Sequence, residues 1–120
     1  MIARHWTGLC KQERALEYIS HLENETFKNL VSIKGFVKAS ILKRDTEGGV
    51  EFLIITDWES IDAIRQFAGP DFENAVVPPF VREIMVRYDT RVRHYDIHGA
   101  DMNEPPGLPA AAAAGRTQRL

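Results

Sequence analysis

Proton transfer near neutral pH is the chemistry this sequence is best supplied for, because imidazole titrates in that range and four histidines are present. His5 lies in the opening stretch "MIARHWTGLC" and is the candidate base by residue type. His94 and Tyr95 follow one another in "RVRHYDI". Arg65 and Asn74 carry a guanidinium and an amide that, turned inward, would hold a carbonyl, and Trp58 offers a flat ring where the apolar run "FLIITDW" ends. Metal chelation is not expected. His94 and His98 share a strand face but stand about 13 Å apart at the strand rise. His21 and Glu25 are one helical turn apart and read as a solvated face.

The elements that must position these groups are legible as periodicities. Residues 2 to 9 alternate as a strand, with Ile2, Arg4 and Trp6 on one face and Ala3, His5, Thr7 and Leu9 on the other. From Lys11 to about Val31 the positions Ala15, Tyr18, Ile19, Leu22, Thr26, Phe27 and Leu30 form the stripe of an amphipathic helix. After Gly35, "FVKASILKR", "DTEGG" and "VEFLIITDW" predict a hairpin of two strands. Ser60 has the chemistry of an N-cap for a helix from Ile61 to Ala68, Gly69 ends it, and Pro70 suits the start of a second short helix. Pro78 and Pro79 kink or restart helix, and "RYDTRVRHYDI" alternates as a fourth strand. The order is βαββαβ, the ferredoxin-like α+β pattern: an antiparallel sheet of order 4-1-3-2 with helices on one face.

Strand four should lie beside strand one, and the apolar company of Val92 turns His94 inward. In strand three, Phe52, Ile54, Thr56 and Trp58 point one way while Leu53 and Ile55 point the other. A sheet with helices on one side only must cover its second apolar face by other means, and a second copy of the chain, a homodimer through the sheet face, is the economical cover.

The 120 residues are 44% hydrophobic and carry a net charge of −2, with a pI near 6.1. That suffices for one core and argues against nucleic acid as a partner. "KGFVKA" has the look of an RNA-recognition signature but falls on strand two rather than strand three. The single Cys10 excludes an intrachain disulfide and points to a reducing, cytoplasmic setting. The N-terminus reads as a strand rather than a signal peptide, and no membrane span is expected. The domain covers residues 1–98, and the Pro-, Ala- and Gly-rich residues 99–120 read as a tail.

With strand three ending in "DWES", a helix "IDAIRQFAG", then "PDFENAVVP" and a last strand "VRHYDI", residues 1–98 resemble the antibiotic biosynthesis monooxygenase family. The Trp-Glu-Ser step is the most specific element of the likeness. The resemblance implies a dimeric α+β barrel with a cavity between sheet and helices. In the haem-degrading branch of the family, Val76, Phe67 and His5 occupy the positions of the iron-ligating His, a Trp and an Asn. Valine has no lone pair for iron, so the resemblance implies no haem. In the quinol-oxidising branch Trp58 matches the family tryptophan, while Ile54 and Ile64 stand where polar groups occur. The function this implies is an oxidoreductase: cofactor-independent monooxygenation of a phenolic or quinol-like aromatic, with no metal or flavin. His5 would be the base, and Trp58, Phe67, Asn74, Arg65 and His94 would surround the substrate. The alternative is a non-catalytic or isomerase-type binder of a small molecule in the same cavity.

Overall fold

The structure, a computed structural model, describes residues 1–99; the tail expected over 99–120 falls, beyond Gly99, outside the described residues. β1 (Ile2–Cys10) pairs antiparallel with β3 (Gly49–Trp58) without interruption from Ile2↔Trp58 to Cys10↔Val50. β2 (Phe36–Thr46) returns into β3 through the expected hairpin, with one irregularity between Phe36 and Lys38. The free edge of β1 takes two short strands, β4 (Met85–Tyr88) opposite Gly8 to Cys10 and β5 (Arg93–Asp96) opposite Ile2 to His5. The sheet therefore has the order β2-β3-β1-β4 with β5 also on β1. This is the expected ferredoxin-like α+β order.

The alternation in "RYDTRVRHYDI" predicts one unbroken strand, and the structure corrects this. Asp89 ends β4 because β1 takes all of its polar groups: its carboxylate accepts the Thr7 N–H at 3.0 Å, its N–H donates to the Thr7 carbonyl at 3.0 Å, and its carbonyl accepts from Trp6 Nε1 at 2.9 Å. The chain then leaves the sheet edge. The Ala75 N–H donates to the Thr90 carbonyl at 3.0 Å and the Val92 N–H to the Glu73 carbonyl at 2.9 Å, making a small bridge between Asn74 and Arg91. A second helix from Pro70 is likewise absent, since residues 73–75 are committed to that bridge.

The first crossover is less regular than its stripe predicts. A 3₁₀ turn (Gln12–Arg14) leads into α1 (Ala15–His21), a π-helical turn (Leu22–Thr26) and α2 (Phe27–Leu30). In the wide turn the Phe27 N–H reaches the Leu22 carbonyl, five residues back. Such single π turns recur at functional sites. α3 (Ile61–Ala68) begins as expected, with Ser60 Oγ accepting the Ala63 N–H at 3.1 Å. It ends at Gly69, whose φ of 90° suits glycine. α4 (Pro79–Ile84) restarts helix with Pro79 in the first turn, where no amide donor is required. No helix among the described residues is long and apolar enough to cross a membrane.

All helices cover the sheet face that carries Arg4, Trp6, Phe52, Ile54, Thr56 and Trp58. Two apolar clusters form there. One gathers Cys10, Tyr18, Leu22, Phe52, Ile54, Val81 and Ile84 under α1 and α4; the other gathers Leu30, Trp58, Ala63 and Ile64 under α2 and α3. The opposite face presents half-buried Leu53 and Ile55 beside exposed Leu42 and Tyr95.

Replacing Ser60 with Ala removes the acceptor for a first-turn amide, so Ser60→Ala should lower unfolding stability by about 1 kcal/mol. The urea midpoint should shift down with the slope unchanged.

Candidate functional site

Between the two apolar clusters, which are joined through Phe27, a cavity of about 80 Å³ remains between sheet and helices. Arg4, Trp6, Ile54 and Thr56 line it from the sheet, Tyr18, His21, Leu22 and Leu30 from the first crossover, and Phe67, Val76 and Pro78 from the second. An engineered protein cavity of roughly 150 Å³ takes up benzene, so an aromatic ring fits here only if a wall yields.

Arg4 is the only permanently charged side chain among the lining residues. It is 4% exposed. Its Nη1 donates to the Phe72 carbonyl and, at 3.1 Å, to His94 Nε2, while Nη2 donates to the Asn74 carbonyl at 2.9 Å. The guanidinium also lies over the Phe67 ring, 5.7 Å from its centroid. All of these partners are neutral, and no carboxylate pairs with Arg4 among the described residues. Buried charges are ordinarily paired. Burial pushes the Arg4 pKa down to about 10, which leaves it cationic at neutral pH. The cavity thus has an uncompensated positive wall, a site where an anion is favoured.

The bond from Arg4 fixes the state of His94. A guanidinium only donates, so His94 Nε2 must be the acceptor and the proton sits on Nδ1, which is buried without a partner. Burial and then the Arg4 charge lower the His94 pKa.

The residues singled out in the sequence separate into those on this wall and those elsewhere. Phe67 lines the cavity, and His94, turned inward as its neighbour Val92 implied, touches it through Arg4. Asn74 contributes its backbone carbonyl rather than its amide; the residue itself is exposed. Arg65 is exposed, pairing with Asp62 at 3.1 Å and lying over Phe72 at 5.3 Å. Trp58 is fully buried, donates Nε1 to Thr56 Oγ1 at 2.8 Å, and packs with Phe36 and Phe67 in the core rather than lining the cavity. His5 stands on the other face of the sheet, opposite Ile55 and 4.9 Å from the Tyr95 ring. It does not enter the cavity, because successive strand residues alternate faces and Arg4 holds the inward parity.

Among the lining residues not proposed for the site from the sequence are Arg4 and His21. Arg4 was signalled by its parity with Ile2 and Trp6, a charge inside an apolar strand face. His21 was signalled only by lying one residue from Leu22 and three from Tyr18; its side chain is 11% exposed, not solvated. No group of three or more His, Cys, Asp or Glu side chains suited to a metal occurs among the described residues.

Sheet order, crossovers and the cavity between them define a ferredoxin-like α+β domain. Solved structures with this fold include two proteins provisionally named antibiotic biosynthesis monooxygenases. One, from Bacillus cereus, has a TM-score of 0.57 at 16% identity over 83% of this chain and 93% of its own. The other, from Deinococcus radiodurans, has a TM-score of 0.60 at 16% identity over 84% and 96%. A Streptomyces coelicolor monooxygenase, solved in complex with nanaomycin D, superposes with a TM-score of 0.52 at 16% identity over 91% and 92%. No family model matches the sequence, and no curated protein aligns with it significantly.

Because the folded His94 has a lowered pKa, the unfolded chain binds more protons as pH falls through the ordinary imidazole range, and stability is lost in that direction. His5, also lowered by burial, adds the same sign. Urea midpoints should fall between pH 7.5 and pH 5, and His94→Gln should flatten part of that slope.

Proposed function

We propose that the cavity binds a phenolic or quinol-like aromatic and that the protein oxygenates it with molecular oxygen and no added cofactor. The observation that carries this reading is Arg4, a buried cation that no carboxylate among the described residues pairs with, on the wall of a largely apolar and aromatic cavity. A phenol becomes electron-rich enough to react with oxygen when it ionises. Arg4 would stabilise that phenolate, and the low dielectric of the site would strengthen the pairing. The phenolate passes one electron to oxygen, and the resulting radical and superoxide combine at a ring carbon as a peroxide. Loss of water then leaves a carbonyl. One oxygen atom enters the product, the other leaves as water, and all four electrons come from the substrate. The complex of the Streptomyces coelicolor monooxygenase with nanaomycin D supports an aromatic ligand. A non-catalytic or isomerase-type binder remains the second reading; its natural pocket would be apolar throughout, whereas this one also carries Arg4 and His21.

The domain, residues 1–98, works on this proposal as a homodimer. Leu53, Ile55, Leu42 (45% exposed) and Tyr95 (49% exposed) lie on the helix-free face, which a second copy would cover. A cytoplasmic setting suits the buried free thiol of Cys10.

Oxygen uptake against hydroquinones and anthrones, with metal chelated and flavin absent, should exceed autoxidation, and Arg4→Met should lower it about 10²- to 10³-fold. Uptake at the buffer rate across the panel would overturn oxygenation. Light scattering should give twice the 13.6 kDa chain mass; a single chain's mass would overturn the dimer.

A further inference from the structure

We propose that His21 is the proton acceptor of this cavity, with Glu25 the positioning residue that sets its tautomer. The inference rests on reading the cavity as a phenol site. His21 closes α1 just before the π turn, lines the cavity, and also borders an open groove on the outer surface that includes Glu17, Glu25, Pro78 and Phe80. Its Nδ1 lies 3.3 Å from Glu25 Oε2, and the Glu25 side chain is 70% exposed. Its Nε2 is sealed from solvent and has no partner among the described residues. An ionised carboxylate only accepts, so Nδ1 carries the hydrogen and Nε2 keeps its lone pair. This is the arrangement of an imidazole base oriented by a carboxylate.

The other histidines do not serve. The Nε2 lone pair of His94 is occupied by Arg4, His5 is on the far side of the sheet, and His98 is exposed. In the step assigned to His21, the substrate O–H bond breaks, its proton goes to Nε2, and its electron pair stays on oxygen as the phenolate that Arg4 holds. The proton's charge is then shared with Glu25 toward solvent. The charged groups around His21 are Glu17 and Glu25 from its own helix and Arg4 across the cavity. From the opposite side Phe80, 5.2 Å from its ring, is neutral and is itself capped by Arg14 at 5.9 Å.

The test uses p-nitrophenol, whose ionised form absorbs visible light, in weak buffer at a pH where the free probe is mostly neutral. Wild-type protein should bind it as phenolate without releasing a proton to solution. His21→Gln and His21→Asn should bind it as neutral phenol, or release one proton per phenolate bound. Oxygen uptake on any substrate the wild type turns over should fall about 10²- to 10⁴-fold. Glu25→Gln, at an exposed position that does not threaten folding, should move proton release the same way to a smaller extent. Phenolate binding without proton release in the His21 variants would overturn the assignment while leaving the phenol site standing. Failure of wild-type protein to bind the probe would overturn both. Phenolate binding without proton release that depends on His21, with no oxygen consumption, would remove oxygenation and keep His21 as the acceptor.

Discussion

The registration of β1 against β3 is the constraint on which the rest depends. Nine consecutive pairs, from Ile2↔Trp58 to Cys10↔Val50, decide which residues of both strands face the helices. A slip by one residue would exchange every side chain between faces: Arg4 would go to the bare side and His5 would come in. The apolar set prevents this. Phe52 and Trp58 are fully buried and Ile54 nearly so, and moving them out of the core would cost several times what any polar contact in the cavity returns. The electrostatic character of the cavity is therefore a by-product of hydrophobic registration.

Arg4 itself is held at a cost. Desolvating a guanidinium without a counter-charge is unfavourable, and hydrogen bonds to neutral carbonyls offset only part of it. Two carbonyls and one imidazole nitrogen orient the fork without neutralising it. The same partners explain why His94 must be neutral, so one charge fixes the protonation of its neighbour and the polarity of the cavity together.

What could be read in the sequence was local. The two-residue alternation of β1 and β3, the stripe through Tyr18 and Leu22, and the Ser60 cap depend on nearest neighbours along the chain; the strands and the cap appear as expected, and Tyr18 and Leu22 are buried although the helix that carries them is broken by a π turn. The break in the fourth strand did not show, because it arises from Asp89 bonding to Thr7 and Trp6, more than eighty residues away in sequence. The role of residues 73–75 as a bridge rather than a helix has the same origin. The candidate site was legible by halves. Phe67 stands on the cavity wall and His94 on Arg4, whereas His5, a candidate by its titration range, is turned by strand parity to the side opposite Arg4. The reading of His21 as a solvated residue fails because its ring packs against Phe80, which the helix pattern alone does not bring near.

The bridge that carries the carbonyls of Phe72 and Asn74 to Arg4 has an uneven set of attachments. Two backbone bonds tie it to Thr90 and Val92, and outside them Arg91 clasps Asp71 and Glu73 with all three side chains more than half exposed. Exposed pairs of this kind hold weakly and are screened by salt. The β1–β3 pair beneath, by contrast, runs through nine consecutive pairs without interruption. This strap does not line the cavity itself but supplies the two carbonyls that orient the Arg4 fork. Ionic strength therefore weakens the outermost of these attachments first, so the orientation of a buried charge is backed in part by a surface ion cluster rather than by the core alone.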